Sequence, residues 1–292
     1  MRLEPRKRKR IPGYALHLLS ALVVLIVLVP APAAGAAGAS GAAGAAGAAG
    51  AAGAVHFSGW AFDTCTAPPA ATMRSWLSSR YRAVGVYYAG RGRGCVRQPY
   101  LSRRWVTQVH RMGWQVLPVF VGSQSPCVGA EHKRNVRIGR DPWRQGASEA
   151  REAVHRARAL GMGRASPLYL DLEAYDTGNR RCADTTLTFV RSWNRQVRRS
   201  GYLPGFYSSA DSGVAHIERA RRAGIGDLPS VIWFARWHTA PALHGERALT
   251  DGWQGHRRIH QYAGNVAETH GGRRLVVDRS KADAPVARVG KP

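Results

Sequence analysis

The feature that most constrains the fold is an alternation of short β-forming apolar runs with longer helical patterns from Val55 onward. The eight predicted strands are His56–Asp63, Ala83–Ala89, Trp114–Val121, Pro167–Glu173, Leu203–Ser208, Val231–Trp237, Arg258–Tyr262 and Leu275–Asp278. The five predicted helices are Pro68–Ser78, Ser102–Met112, Gly146–Leu160, Ala183–Ser200 and Ser212–Ala223. Gly113, Gly161 and Gly201 stand where helix C-caps are expected. Alternating β and α units predict an α/β protein with a parallel sheet.

Eight strands in about 230 residues fit a slightly shortened (β/α)8 TIM barrel. Only a short glycine-containing link separates the last two predicted strands, so we expect the barrel to be irregular there. A doubly wound open sheet is the alternative fold. No glycine-rich phosphate loop follows the first strand, which disfavours a nucleotide-binding version of that alternative.

Four segments are predicted along the chain. Residues 1–34 have the basic, apolar and small-residue order of a secretory signal peptide. The apolar run, Ala15–Val29, is shorter than the ~20 residues that a spanning helix needs, although an uncleaved membrane anchor is the alternative. No adjacent arginine pair precedes this run, so the sequence does not support a twin-arginine signal. Residues 35–54 are an Ala/Gly-rich linker, residues 55–285 the barrel domain, and residues 286–292 a tail.

The chain is strongly basic, with a formal net charge of +25. Such a charge favours polyanionic partners, here an anionic cell-wall polymer or lipid. Compositional bias is the alternative explanation, because arginine, alanine and glycine are all abundant and lysine is scarce. Neither a zinc finger nor an RNP motif is present, so we expect no nucleic-acid partner, and we expect a monomer.

The fourth predicted strand ends in two carboxylates, Asp171 and Glu173. Side chains two apart in a strand share a face, and neighbouring buried carboxylates repel each other, which raises the pKa of at least one. Such a pair serves acid–base chemistry or holds a metal. The structural alternative is an Asp that caps the next turn, with Glu173 in solvent.

Carboxylates also fall at the ends of other strands, Asp63 at the first and Asp278 at the eighth. Active sites of such barrels lie at the carboxyl ends of the strands, so the four acidic residues are candidate catalytic groups. The candidate substrate-binding aromatics, suited to stacking on sugar rings, are Tyr88, Tyr175, Tyr207, Trp233, Trp237 and Tyr262. Core packing is the alternative for each aromatic, a helix cap for Asp63, and a solvated strand end for Asp278.

The four cysteines, in a chain expected to be exported, predict disulfides. Cys65 and Cys95 follow the first two strands, whereas Cys127 and Cys182 follow the third and fourth. Loops at neighbouring strand ends lie close together, so we predict the pairs Cys65–Cys95 and Cys127–Cys182. A zinc site is the alternative, but no pair of cysteines is two to four residues apart. We expect no metal and no cofactor.

A series of motifs resembles a known family. The motifs are Gly59–Cys65, Gly85–Tyr88, Gly113–Gly122, Tyr169–Glu173, Gly201–Ser208 and Ile232–Trp237. In this order they resemble the glycoside hydrolase-like domain of secreted actinobacterial proteins, over nearly all of Val55 to Asp278. More distantly the chain is similar to family-25 muramidases, lysozymes with a β/α barrel. Their Asp, Asp-x-Glu, Trp-x-Ala and Asp pattern is matched by Asp63, Asp171, Glu173, Trp233, Ala235 and Asp278.

The resemblance implies that Glu173 is a general acid. Thr64-Cys65 stands where the muramidases usually have an aliphatic residue and Ser, a departure that bears on the substrate more than on the fold. Glycoside hydrolysis also needs an ionised carboxylate, a role for Asp171, either as charge stabiliser or as helper of the substrate's N-acetyl group. Asp63 and Asp278 would orient water and sugar hydroxyls.

The resulting hypothesis is an exported glycoside hydrolase acting on cell-wall polysaccharide or peptidoglycan. A barrel that holds wall glycan without cutting it is the first alternative, since fold alone does not establish function. A carboxylate metal site for phosphodiester hydrolysis is the second.

Overall fold

The computed structural model describes residues 53–290; the predicted signal peptide and all but the end of the predicted linker lie outside this range. The strands are β1 (Val55–Asp63), β2 (Tyr81–Ala89), β3 (Gln115–Phe120), β4 (Pro167–Asp171), β5 (Leu203–Ser209), β6 (Val231–Ala235), β7 (Arg258–His270) and β8 (Arg273–Val286). The helices are α1 (Ala70–Ser75), α2 (Arg103–Arg111), α3 (Pro142–Ala159), α4 (Arg180–Arg199) and α5 (Ala215–Arg222). A π-helical turn, Ala210–Val214, leads into α5.

The eight strands form a closed barrel in chain order, which confirms the predicted α/β barrel and its irregular end. Strands β1 to β7 run parallel to one another, whereas β8 is antiparallel to both β7 and β1. The predicted parallel sheet is therefore found in β1 to β7, and the irregularity expected at the last strands is the antiparallel direction of β8. The cause is the short connection Gly271-Gly272, because a parallel return needs a crossover of a dozen residues or more.

The last two strands are much longer than predicted. They extend beyond the barrel as a hairpin, so Asp278 lies inside β8 and not at its end, which corrects the predicted position. The antiparallel direction nevertheless brings Asp278 to the functional end of the barrel, where it is the direct cross-strand partner of Asp63.

The outer part of the hairpin packs against the outside of the barrel. The Trp76 indole, in the turn after α1, donates a hydrogen bond of 2.8 Å to the carbonyl oxygen of Arg273, and Tyr81 donates one of 2.7 Å to Glu268. The His270 ring contacts Trp76 edge-on at 4.8 Å. The hairpin thus covers the outer side of the barrel at the start of β2, beside the turn after α1.

Alternation along the strands divides the core into two layers. Inward-facing residues such as Ala61, Leu117 and Ile259 fill the barrel, and outward-facing ones pack under the helices. The predicted domain end at residue 285 falls just inside β8. Beyond β8, the backbone N–H of Ala287 donates to the carbonyl of Val116 near the start of β3. The first residues of the predicted tail therefore pack against the barrel. Within residues 53–290, no helix is both long and apolar enough to cross a membrane.

Candidate functional site

A cleft of about 830 Å³ opens at the carboxyl ends of the parallel strands. All four candidate carboxylates line it: Asp63, Asp171, Glu173 and Asp278. A smaller cavity of about 270 Å³ adjoins it, and the two share Glu173, Tyr207 and Trp237. Glu173 therefore lies on the boundary between two compartments of one groove. Strand β4 ends at Asp171, so Glu173 lies two residues past the strand and not within it as predicted.

The floor of the cleft is built around Asp63, which is almost completely buried. Its Oδ1 accepts a 2.6 Å hydrogen bond from the Tyr87 hydroxyl, and its Oδ2 accepts one of 3.1 Å from the Gln261 amide. Asp278 accepts a 2.6 Å bond from the backbone N–H of Asn265 and a longer one of 3.4 Å from Gln261. One amide therefore bridges the two carboxylates.

Burial dominates the electrostatics of these two carboxyls. It raises the pKa of Asp63 from 3.8 to about 7, with a further contribution from Asp278 and opposition from the bonds of Tyr87 and Gln261. Burial also raises the pKa of Asp278, as does the charge of Glu173, while the Asn265 N–H acts against them. The floor therefore holds protons at pH values where free carboxyls have lost them.

Asp171 is buried, and its Oδ1 has no hydrogen-bond partner in the described chain. Burial, then the nearby charge of Glu173, raises its pKa well above the usual range, and the Lys133 ammonium opposes this shift. The Gln124 side chain holds the backbone here, donating to the Asp171 carbonyl at 2.9 Å and accepting from the Glu173 N–H at 2.8 Å. The backbone on both sides of Leu172 is thus fixed by Gln124, whereas one buried oxygen of the Asp171 carboxyl has no partner within residues 53–290.

Lys133 brings a cation to the cleft from a 3₁₀ turn, Glu131–Val136, in the loop between β3 and α3. Its Nζ donates to the carbonyl of Gly92 at 2.6 Å and lies 3.9 Å from Glu173 Oε1. The Lys133 side chain is 7% exposed and that of Glu173 is 37% exposed. Glu173 can therefore meet both this cation and a ligand entering from solvent.

Gln261 also joins the carboxylates to the aromatic wall. Its Oε1 accepts hydrogen bonds from the Tyr207 hydroxyl at 2.8 Å and from the Trp237 indole at 2.9 Å. All four polar side chains that contact Gln261 line the cleft. Sequence reasoning missed Gln261, Gln124, Tyr87 and Lys133; only Gln261 and Tyr87 had a usable signal, as side chains at the carboxyl ends of predicted strands.

Of the six predicted aromatics, Tyr207 and Trp237 line the cleft. Trp233 lies below its floor, 1% exposed, with its indole donating to Ser280 Oγ at 3.2 Å. Trp233 therefore packs the barrel interior and does not face a ligand.

The other three aromatics point away from the cleft. The Tyr88 hydroxyl donates to the carbonyl of Ala153 on α3, because neighbouring residues of a strand face opposite ways and Tyr87 takes the inward position. Tyr175 bonds to His216 at 2.9 Å on the helical side of the barrel. Tyr262 follows the inward-facing Gln261 and packs outside against Trp60. The expectation that these three contact substrate does not fit their positions.

Both predicted disulfides, Cys65–Cys95 and Cys127–Cys182, are confirmed. The first forms part of the cleft wall, and the second ties the β3–α3 loop to the start of α4. Within residues 53–290, no group of three or more His, Cys, Asp or Glu side chains is arranged to hold a metal ion.

The family model of the Rv2525c-like, glycoside hydrolase-like domain matches residues 74–282. The chain belongs to this family. The Rv2525c-like domain thus spans most of the barrel, from α1 into β8, in agreement with the resemblance carried by the sequence motifs. No curated protein matches the chain in sequence.

Solved structures resemble this Rv2525c-like barrel at low sequence identity. The Mycobacterium tuberculosis Tat-secreted protein Rv2525c in complex with L-tartrate has a TM-score of 0.53 and 15% identity, covering 77% of this chain and 96% of that one. Its complex with HEPES has a TM-score of 0.52 and 16% identity, covering 78% and 96%. The Clostridium perfringens spore cortex lytic enzyme SleM has a TM-score of 0.47 and 12% identity, covering 77% and 67%. At such identities the likeness concerns the fold alone.

Proposed function

We propose that the chain is an exported glycoside hydrolase that acts on cell-wall polysaccharide or peptidoglycan. The observation that carries the proposal is the convergence of four carboxylates and two aromatic rings, Tyr207 and Trp237, on one cleft. Glycoside hydrolysis needs paired carboxyls in different protonation states, and a cleft with aromatic walls suits a chain of sugars. The family's glycoside hydrolase-like description supports the same class of chemistry.

Glu173 is assigned as the general acid and Asp171 as the group that stabilises positive charge or assists an N-acetyl group. Glu173 is partly exposed at the boundary between the two compartments, where a glycosidic oxygen spanning them would lie. Asp171 lines the same cleft with a largely buried carboxyl, a position from which it can stabilise charge on a reacting sugar ring. Asp63 and Asp278, held by Gln261, would orient water and sugar hydroxyls.

The first test is turnover of purified peptidoglycan by wild type and Glu173→Gln. Loss of general acid catalysis should lower turnover by about 10²–10⁴-fold with glycan binding retained. Glu152→Gln, the same change at an exposed position on α3, is the matched control and should leave turnover unchanged. Turnover that EDTA abolishes would favour metal-dependent hydrolysis instead, and full activity in Glu173→Gln would end the assignment.

An aryl glycoside of an N-acetylhexosamine oligosaccharide with an activated leaving group separates the two carboxyl roles. Such a leaving group departs without a proton, so Glu173→Gln should retain activity on it while Asp171→Asn loses activity on both substrates. Because the pKa of Asp171 is raised, Asp171 could itself hold the proton that is donated, and the reverse pattern would reveal this. Retention in Asp171→Asn, with loss in Glu173→Gln, would assign the proton donor to Asp171.

A glycan-binding module without turnover is the second candidate function. The contact between Lys133 and Glu173 favours it, because a cation beside a carboxylate can hold sugar hydroxyls through paired donors and acceptors. Co-sedimentation with peptidoglycan that both Glu173→Gln and Asp171→Asn weaken, in a protein without turnover, would support this candidate.

Export is part of the proposed function. Two disulfides in the barrel suit an oxidising compartment, and a structural neighbour, Rv2525c, is described as Tat-secreted. We propose that a signal peptide over residues 1–34 directs this export and that residues 35–54 are a linker to the barrel.

A further inference from the structure

A second cavity with the opposite electrical character lies between α1 and α2, away from the carboxylate cleft. It has a volume of about 880 Å³ and is lined by four arginines, Arg74, Arg103, Arg104 and Arg111. We refer to it as the arginine groove. No acidic residue lines it, and none of the four arginines forms an ion pair within residues 53–290.

One face of α2 supplies most of the polar surface of the groove. Arg104, Thr107, Gln108 and Arg111 are spaced i, i+3, i+4 and i+7, so they lie along a single stripe of the helix. The two guanidinium-bearing residues at its ends are separated by about 10 Å of helix axis. The stripe thus presents cations at intervals, with hydrogen-bonding groups between them.

Arg103 has a separate structural task at the end of the groove. Its guanidinium donates to the carbonyls of Arg158 at 2.8 Å and Ala159 at 3.2 Å, the last residues of α3. Arg103 also lines an adjoining cavity of about 600 Å³, which contains Arg158 and Arg288 and again no acidic residue. The positive surface therefore continues from the groove past the end of α3.

We infer that the arginine groove binds a linear polymer of phosphodiester units. Guanidinium groups pair with phosphate oxygens in a planar, bidentate manner, and unpaired arginines in a concave groove suit a flexible anionic chain. A flat bilayer is a poorer fit to this concave groove, which has no exposed large apolar side chain to insert beside the arginines. The described chain exposes Val55, Val96, Tyr100, Trp143, Trp237 and Val276, and none of them lines the groove.

The arginine groove is separate from the carboxylate cleft in which hydrolysis is proposed. The groove and the cleft share no lining residue. A chain held by a wall phosphate polymer through α1 and α2 would therefore keep the cleft free for a glycan. The inference does not depend on whether the cleft hydrolyses anything.

The test compares two triple variants of the full chain with equal net charge. The groove variant is Arg74→Gln/Arg104→Gln/Arg111→Gln, which leaves the Arg103 contacts to α3 in place. The control variant is Arg151→Gln/Arg181→Gln/Arg199→Gln, at three exposed arginines outside the groove. All six side chains are exposed, so both variants should melt close to the wild-type temperature.

The probe is synthetic poly(glycerol phosphate), with polyglutamate and phosphatidylglycerol vesicles as separate arms. We expect the groove variant to bind poly(glycerol phosphate) about tenfold or more weakly than wild type. Its slope of log affinity against log salt should fall by about 2, since three lost contacts each release about 0.7 counterions. Equal weakening in both variants would overturn the inference, because net charge alone would explain it. The inference would also be overturned if the groove variant lost affinity only for the vesicles, or lost as much affinity for polyglutamate as for poly(glycerol phosphate).

Discussion

At the scale of single residues, the cleft is a cluster of carboxyls of which Asp63 and Asp278 are held by hydrogen bonds, whereas one oxygen of Asp171 has no partner among the described residues. Asp63 accepts bonds from Tyr87 and Gln261, Asp278 accepts from a backbone N–H, and the Asp171 segment is held by Gln124. The donors to Asp63 and Asp278 lower the energy of the ionised carboxylates, whereas burial raises it; Gln124 holds only the backbone of Asp171. The floor therefore responds to pH near neutrality, which ordinary surface carboxyls do not.

Asp63 allows this response to be measured. Its pKa in the folded state is about 7, against 3.8 as the ordinary value, so the folded chain holds this proton between those pH values and the unfolded chain does not. The free energy of unfolding should therefore fall as pH rises from 5 to 8, by about 2–3 kcal/mol from this group alone. Asp63→Asn should remove that part of the fall. Chemical denaturation at both pH values is the measurement.

Asp184→Asn, at an exposed position on α4, is the control and should keep the wild-type pH dependence. A pH dependence unchanged in Asp63→Asn would contradict the electrostatic account of the floor. Lower stability of Asp63→Asn at every pH, in addition to a smaller fall between pH 5 and pH 8, would not contradict it, because loss of the Gln261 bond is independent of this titration.

Sequence reasoning found the four carboxyls of the cleft but only two residues of its aromatic wall. Strand-end carboxylates can be recognised locally, because a barrel directs them to one place. Which face of a strand a side chain occupies is harder to predict from the sequence. Tyr87 and Tyr88 are adjacent, and only the register of β2 decides which one points inward. Gln124 and Lys133 lie in a loop that no periodicity describes, and Gln261 meets Asp63 across 198 residues of sequence.

At the scale of elements, the β7–β8 hairpin shapes the cleft from one side. It contributes Gln261, Asn265, Leu275, Val276 and Asp278 to the floor and rim. Both strands were predicted from the sequence, but β7 was ended too early and β8 was begun too late. The reason is that charged and polar residues after Tyr262 and before Leu275 interrupt the apolar pattern. In the structure those residues form the outer arm of the hairpin, where half-buried and exposed positions alternate but the half-buried ones include the polar Glu268 and His270.

Gly264, at the root of this hairpin, controls the position of the Trp237 ring. A Cβ at this position would overlap the six-membered ring of Trp237, so Gly264→Ala should displace the ring and weaken its bond to Gln261. We expect a higher KM for glycan, or a several-fold higher Kd, with kcat reduced much less. Gly226→Ala, where an added Cβ meets nothing, is the control. Unchanged KM and Kd in Gly264→Ala would exclude Trp237 from ligand binding.

At the scale of the whole molecule, the barrel was predictable because strand and helix patterns alternate with clear glycine boundaries. The antiparallel last strand was the exception, since the link at Gly271-Gly272 was recognised as short but its consequence for strand direction was not drawn. The disulfide pairing followed from the strand order alone, because adjacent strands bring their following loops together. Topology thus determined the cross-links more reliably than it determined which side chains face the cleft.

Export and disulfide formation should be seen together in one measurement. The secreted chain is expected to begin between about Ala33 and Ala37, by the small-residue rule for signal peptidase. Its intact mass, measured with and without alkylation, should show no free thiol, because Cys65–Cys95 and Cys127–Cys182 are both closed. A chain retained in the membrane fraction with Met1 intact, or four alkylated cysteines, would contradict the prediction.

The antiparallel contact between β1 and β8 has a mechanical consequence. Val55, where the first strand begins, is paired directly with Val286, where the last strand ends. Tension applied through the two chain ends would first release the contacts of Ala287 and Arg288, then separate this pair and open the ladder one hydrogen bond at a time. Because the hydrogen bonds of an antiparallel pair run perpendicular to the strands, a force that pulls the two strands apart from one end acts on one bond at a time. The barrel should therefore yield to low pulling forces along the contact between β1 and β8.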